Sequence, residues 1–156
     1  MGHEGVVSLL LKNHVDTEAT DQYGATALMK ACRRGFTSAA GELIKHGAQI
    51  DVQDDFGRTA LMRAARRGHV GLVKLLTDHG ANLELTDGMG HTALIAAAAE
   101  GQLEVVKELL EKGADFRAQD KNGWSSLIWA DSIRHQGIVA VLKDYAGRRR
   151  QAAKGK

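Results

Sequence analysis

One glycine recurs along this chain with a constant step of 33 residues, at Gly24, Gly57, Gly90 and Gly123. Asp21, Asp54, Asp87 and Asp120 keep the same step three residues earlier. Gly2, Gly35, Gly68 and Gly101 keep it too, as do Gly47, Gly80 and Gly113. A fixed period in this range restricts a chain to a stacked array, in which each unit buries its apolar face only against its neighbours. The copying is close to verbatim in places: residues 24–36 read GATALMKACRRGF and residues 57–69 read GRTALMRAARRGH.

Each unit has a physical reading. The stretches DDFG, DGMG and DKNG are turns, with aspartate opening the turn and glycine supplying a positive φ. Thr26, Thr59, Thr92 and Ser125 then stand where an N-cap belongs. A short helix follows, with Ala60, Leu61, Ala64 and Ala65 on one side and Arg63, Arg66 and Arg67 on the other. Gly68 ends it. A second helix carries Val70, Leu72, Val73, Leu75 and Leu76 on its apolar face, and Gly80 ends that. The absence of proline and the abundance of alanine, leucine and charged residues agree with short helices punctuated by glycine.

These units resemble ankyrin repeats. The family pattern D-x-x-G-x-T-P-L-H-x-A-A-x-x-G-H, followed by V-V-x-L-L and G-A, is met by DDFGRTALMRAARRGH with LVKLL and GAN, and again by DGMGHTALIAAAAEGQLEVVKELLEKGAD. The resemblance covers residues 2–146 and implies an all-α solenoid of helix-turn-helix units joined by β-turn loops. The predicted organisation is one domain over residues 1–147: a half repeat at 1–20 and repeats at 21–53, 54–86, 87–119 and 120–147. Ala27, Ala60, Ala93 and Ser126 replace the family's proline, and Met29, Met62, Ile95 and Ile128 replace its histidine. Both changes predict helices that are less stiffly held.

The ends predict irregularity. Residues 2–20 make only the second half of a unit, with VVSLLLKN as its outer helix and His14 at the capping glycine's place; either this helix caps the array or the chain is cut from a longer protein, and the second reading is favoured. In the last unit Arg134 stands for the glycine and Lys143 for a core leucine seen as Leu110, which suits a terminal cap. Ala39, Ala40 and Gly41 make the first full unit's outer helix the softest. The final nine residues, RRRQAAKGK, hold five of the 21 basic side chains, leaving 16 against 19 acidic ones in a mildly acidic body. Residues 148–156 are therefore predicted to be a basic, disordered tail.

The resemblance implies that partners meet the concave side, made by the turn tips and the exposed face of each first helix. That mapping selects Tyr23, Phe56, Arg58, Met89, His91 and Trp124 at the turns. On the helices, Lys30, Arg33 and Arg34 stand at i, i+3 and i+4, and Arg63, Arg66 and Arg67 repeat the pattern one unit later. Packed helices lie about 8–10 Å apart, which predicts one patch of six cations. Ala96, Ala99 and Glu100 end it in the next repeat. Two readings stay open: a solvated helix face, or a site for an acidic partner in which arginine pairs with carboxylates and Tyr23 and Phe56 add apolar contacts. Trp129 is read as packing at the end of the stack.

The function predicted is a protein-protein interaction module, either an adaptor or the recognition segment of a larger protein. The alternatives are a nucleic-acid-associated protein using the arginines and the tail, and the non-catalytic part of a multidomain enzyme. No GxxxxGK[ST], GxSxG or HExxH motif occurs, so no enzyme, cofactor or metal is predicted. Cys32 has small apolar neighbours and reads as a buried, inert thiol, with Arg33 and Arg34 near enough to lower its pKa. A single cysteine, no apolar run of membrane-spanning length and no signal sequence predict a reducing compartment, the cytoplasm or nucleus, and the isolated domain is expected to be a monomer.

Overall fold

A computed structural model describes residues 16–154. Among them the fold is all-α, with eight helices in pairs: α1 (Ala27–Arg34) and α2 (Thr37–Lys45), α3 (Ala60–Arg66) and α4 (Val70–Asp78), α5 (Ala93–Ala99) and α6 (Leu103–Glu111), α7 (Ser126–Ser132) and α8 (Gln136–Lys154). The helix and His14 expected in the leading half repeat lie outside the described residues.

The periodic aspartates and threonines build the entry to each pair. Asp54 Oδ1 accepts hydrogen bonds from the backbone N–H groups of Phe56 and Arg58. Asp21, Asp87 and Asp120 bind the equivalent amides of their own turns. Thr26, Thr59, Thr92 and Ser125 cap the inner helices, each accepting from the amide three residues on. Successive turns are laced by the backbone, from Asp55 N–H to Tyr23 O, Gly88 N–H to Phe56 O and Lys121 N–H to Met89 O. Gly57 must be glycine twice over: its φ is +74°, and a Cβ there would stand 3.0 Å from the Gly88 nitrogen.

Inner helices α1, α3, α5 and α7 pack in a row, and outer helices α2, α4, α6 and α8 pack behind them. The core runs the length of the row: Leu28, Met29, Leu61, Leu72, Leu76, Leu94, Ile95, Leu109, Ile138 and Leu142 are all under 2 % exposed. Met29, Met62 and Ile95, at the family's histidine position, are core residues, whereas Ile128 is 42 % exposed. That position needs a following repeat to cover it.

Two sequence expectations change. The stretch predicted as a disordered tail is helical as far as Lys154, because α8 continues unbroken through it. Arginine, glutamine and alanine are strong helix formers, Arg148 pairs with Asp144 one turn back, and Arg149 donates to the Tyr145 hydroxyl at 2.9 Å. The terminal flank is also less polar than a cap is expected to be, since Ile128 and Ile133 are each 42 % exposed.

Candidate functional site

A groove of about 1050 Å³ lies over the first two described helix pairs. The turn tips carrying Tyr23 and Phe56 wall one end, and Arg33, Arg34 and Arg67 wall the other. Tyr23 and Phe56 are 53 % and 51 % exposed, and their ring centroids lie 6.5 Å apart. The Arg58 guanidinium covers the Phe56 ring, with Cζ 4.3 Å from the centroid. Met89, His91 and Trp124 do not line this groove.

The six predicted cations are sorted by what faces them. Lys30 Nζ lies 3.1 Å from Asp21 Oδ2. Arg63 is buried and donates Nη2 to Asp54 Oδ2, so it belongs to the scaffold and leaves the exposed patch in which the i, i+3, i+4 spacing put it. Arg58 Nε reaches the same carboxylate oxygen at 3.1 Å. Arg66 takes Glu100 of the next repeat through two donors, at 2.7 and 3.2 Å. Arg33, Arg34 and Arg67 are exposed, and none of them pairs with a carboxylate among the described residues.

The aspartates respond to these partners. Burial raises the Asp54 carboxyl, but bonds from the Arg58 amide, the Arg63 side chain and the Phe56 amide outweigh burial and hold its pKa below the ordinary value. Asp21 is brought down to about 2, first by the Tyr23 and Ala25 amides and then by Lys30. Asp120 is likewise held low against burial, by the Trp124 amide, the Trp129 indole and the Asn122 amide. Asp21, which lines the groove, and Asp54, buried beneath Arg58 and Arg63, are therefore ionised at neutral pH, and each is already matched by cations.

The other predicted contacts divide. Met89 is 54 % exposed. His91 is largely enclosed instead of standing out at its turn: Nδ1 lies 3.3 Å from Asp87 Oδ2 and Nε2 lies 3.5 Å from Asp120 Oδ2, bridging two turns. Its ring meets Trp129 edge-on at 5.7 Å. Trp124 is 37 % exposed and rests against Trp129 at 5.0 Å. Trp129 packs at the end of the stack, as the sequence predicts, and donates Nε1–H to Asp120 Oδ2 at 2.8 Å.

Two features of the groove escape the sequence pattern. Glu100 closes one side by neutralising Arg66. Phe36, just before α2, and Leu43 within it extend the apolar lining. Cys32 has no exposure, as the sequence predicts, and burial pushes its thiol up to about 12; the opposing influence comes from Arg63 rather than from Arg33 or Arg34. Among the described residues no group of three or more His, Cys, Asp or Glu side chains is placed to hold a metal ion, and no helix is long and apolar enough to cross a membrane.

Comparison with known proteins agrees with this architecture. The family model for ankyrin repeats (3 copies) matches residues 1–87 and again residues 80–150. No curated protein matches the chain. The period, the paired helices laced at their turns and a family match over nearly the whole length converge: the chain belongs to the ankyrin repeat family, whose repeats generally serve as protein-protein interaction modules.

Proposed function

We propose that this protein binds another protein through the groove over its first two described helix pairs, and that the partner presents an acidic segment carrying an apolar residue. One observation carries the reading. Within the groove, ion pairing consumes Lys30, Arg58, Arg63 and Arg66 but leaves Arg33, Arg34 and Arg67 without a carboxylate among the described residues, in the same concavity as two half-exposed aromatic rings. Arginine and aromatic residues are the side chains that most often dominate binding energy, and arginine pairs with carboxylate through two parallel bonds.

The test is affinity capture and calorimetry with the intact chain, beside a triple variant Arg33→Glu, Arg34→Glu, Arg67→Glu. A control variant reverses Lys107 and Lys112, which pair with Glu104 and Asp78 on the outer helices. The groove variant is expected to lose binding of the captured partner by about tenfold or more, while the control stays within about twofold. Equal losses in both variants would refute the groove. Tight binding to random-sequence DNA that collapses with added salt would instead point to nucleic acid.

A further inference from the structure

The groove is graded along its length. At one end stand the Tyr23 and Phe56 rings, carried by the turns that precede α1 and α3. From that end into the helices, Lys30 with Asp21, and Arg58 and Arg63 with Asp54, are internally neutralised. At the other end Arg33, Arg34 and Arg67 occupy the last residues of α1 and the residue just after α3. The turn-to-terminus distance is set by the helix. Eight residues of α1, at about 1.5 Å each, separate the two ends by about 12 Å.

We infer that the groove reads a short extended peptide lying along the axes of α1 and α3, with an apolar side chain against the paired Tyr23 and Phe56 rings and a pair of carboxylates on Arg33, Arg34 and Arg67, three or four residues away. The spacing follows from the extended backbone, which advances about 3.3 Å per residue and so covers the helix length in three to four steps. Charge complementarity selects the occupant. An acidic group near the paired cations meets charges whose counter-ions are already in place, whereas one at the far end meets three arginines that no carboxylate among the described residues neutralises. The segment therefore runs along the helices of two repeats instead of crossing the whole row. This inference rests on the proposed acidic-partner reading and adds a register to it.

The experiment uses the full chain and synthetic decapeptides of serine and glycine that carry one leucine and one Glu-Glu pair. The leucine stands about one, three or six residues from the pair, in both chain directions, and Lys-Lys replaces Glu-Glu in matched controls. Titration calorimetry is expected to give the three-residue spacing an affinity about tenfold above the other two. Arg34→Glu should remove most of the binding, and Phe56→Ala should abolish the preference for spacing while leaving residual charge-driven binding. Affinities within about twofold across all spacings, with Glu-Glu still above Lys-Lys, would overturn the register and leave the acidic-partner reading standing. Glu-Glu peptides that bind no better than Lys-Lys peptides would overturn both.

Discussion

Arg63 sets Nη2 on Oδ2 of Asp54, nine residues earlier, with both side chains buried. The relationship recurs in altered form. One repeat earlier Lys30 reaches Asp21, and two repeats later Trp129 reaches Asp120, both at the same offset. In the intervening repeat Ala96 has nothing to offer, and His91 takes the Asp87 carboxylate instead. Each turn aspartate thus uses Oδ1 to hold its own turn and Oδ2 to tie that turn to a side chain of the helix or of the turn itself.

Removing Arg63 should therefore cost stability rather than binding. Arg63→Met leaves a buried Asp54 with Arg58 as its remaining cation, and losing one partner of a buried pair costs about 3–5 kcal/mol when nothing compensates. With Arg58 in place the expected loss is about 2–3 kcal/mol, read as a lower urea midpoint at unchanged slope. A double-mutant cycle with Asp54→Asn should show strong coupling. A loss under about 0.5 kcal/mol would return Arg63 to the surface class.

Arg134 marks a site where the chain is strained. It stands at the place of Gly35, Gly68 and Gly101 and keeps their left-handed conformation, with φ +62°. A side chain in that region costs about 1 kcal/mol relative to glycine. Arg134→Gly is expected to raise stability by about 0.5–1 kcal/mol, less whatever the unfolded chain gains in freedom. Thermal unfolding followed by circular dichroism checks it. A fall in the midpoint would show that Arg134 contributes a contact that outweighs its backbone.

Acid should loosen the turns first. Asp21 is lowered from 3.8 to about 2, and Asp54 and Asp120 are held low as well. A carboxyl with a depressed folded pKa contributes stability that is complete above its unfolded value and is lost as pH falls through the folded one. Stability is therefore expected to be level at neutral pH and to decline from about pH 4 towards pH 2. Asp120→Asn should lower stability at pH 7 and flatten that decline, measured by denaturant titration at each pH.

Cys32 should be silent in the native protein. It has no exposure, and its thiol pKa is pushed up to about 12 by burial. The thiolate is the reactive form, and burial withholds both the anion and access to it. Labelling by a thiol-specific disulfide reagent at pH 8 is expected to wait on unfolding and to become fast in denaturant. Fast labelling of the native chain would show that α1 opens locally.

The repeat architecture was legible because it is written in short-range terms. Asp21, Gly24 and Thr26 form a turn and a cap through bonds that span at most four residues, and their recurrence at one period leaves a single way to stack. Bonds between repeats were harder to see. Gln49, Asn82 and Asp115 donate their amides to Glu18, Asp51 and Glu84, acceptors 31 residues earlier that follow the same period. Those acidic residues look like ordinary loop residues until the neighbouring repeat is placed beside them.

The candidate site divides along the same line. Helical spacing put Lys30, Arg33 and Arg34 on one face, and Arg63, Arg66 and Arg67 on another, but a face of one helix does not specify what stands opposite it. Only the packed structure turned Arg63 inward to Asp54, set Glu100 against Arg66 and enclosed His91 between Asp87 and Asp120. The residual charge on Arg33, Arg34 and Arg67 is a difference between cations and the carboxylates brought to them by other turns and helices. Local sequence determined the unit, its period and its order, since turns, caps and helices are made within a few residues. The tertiary structure decided which arginines find no carboxylate among the described residues, because charge pairing depends on distances between segments far apart in the chain.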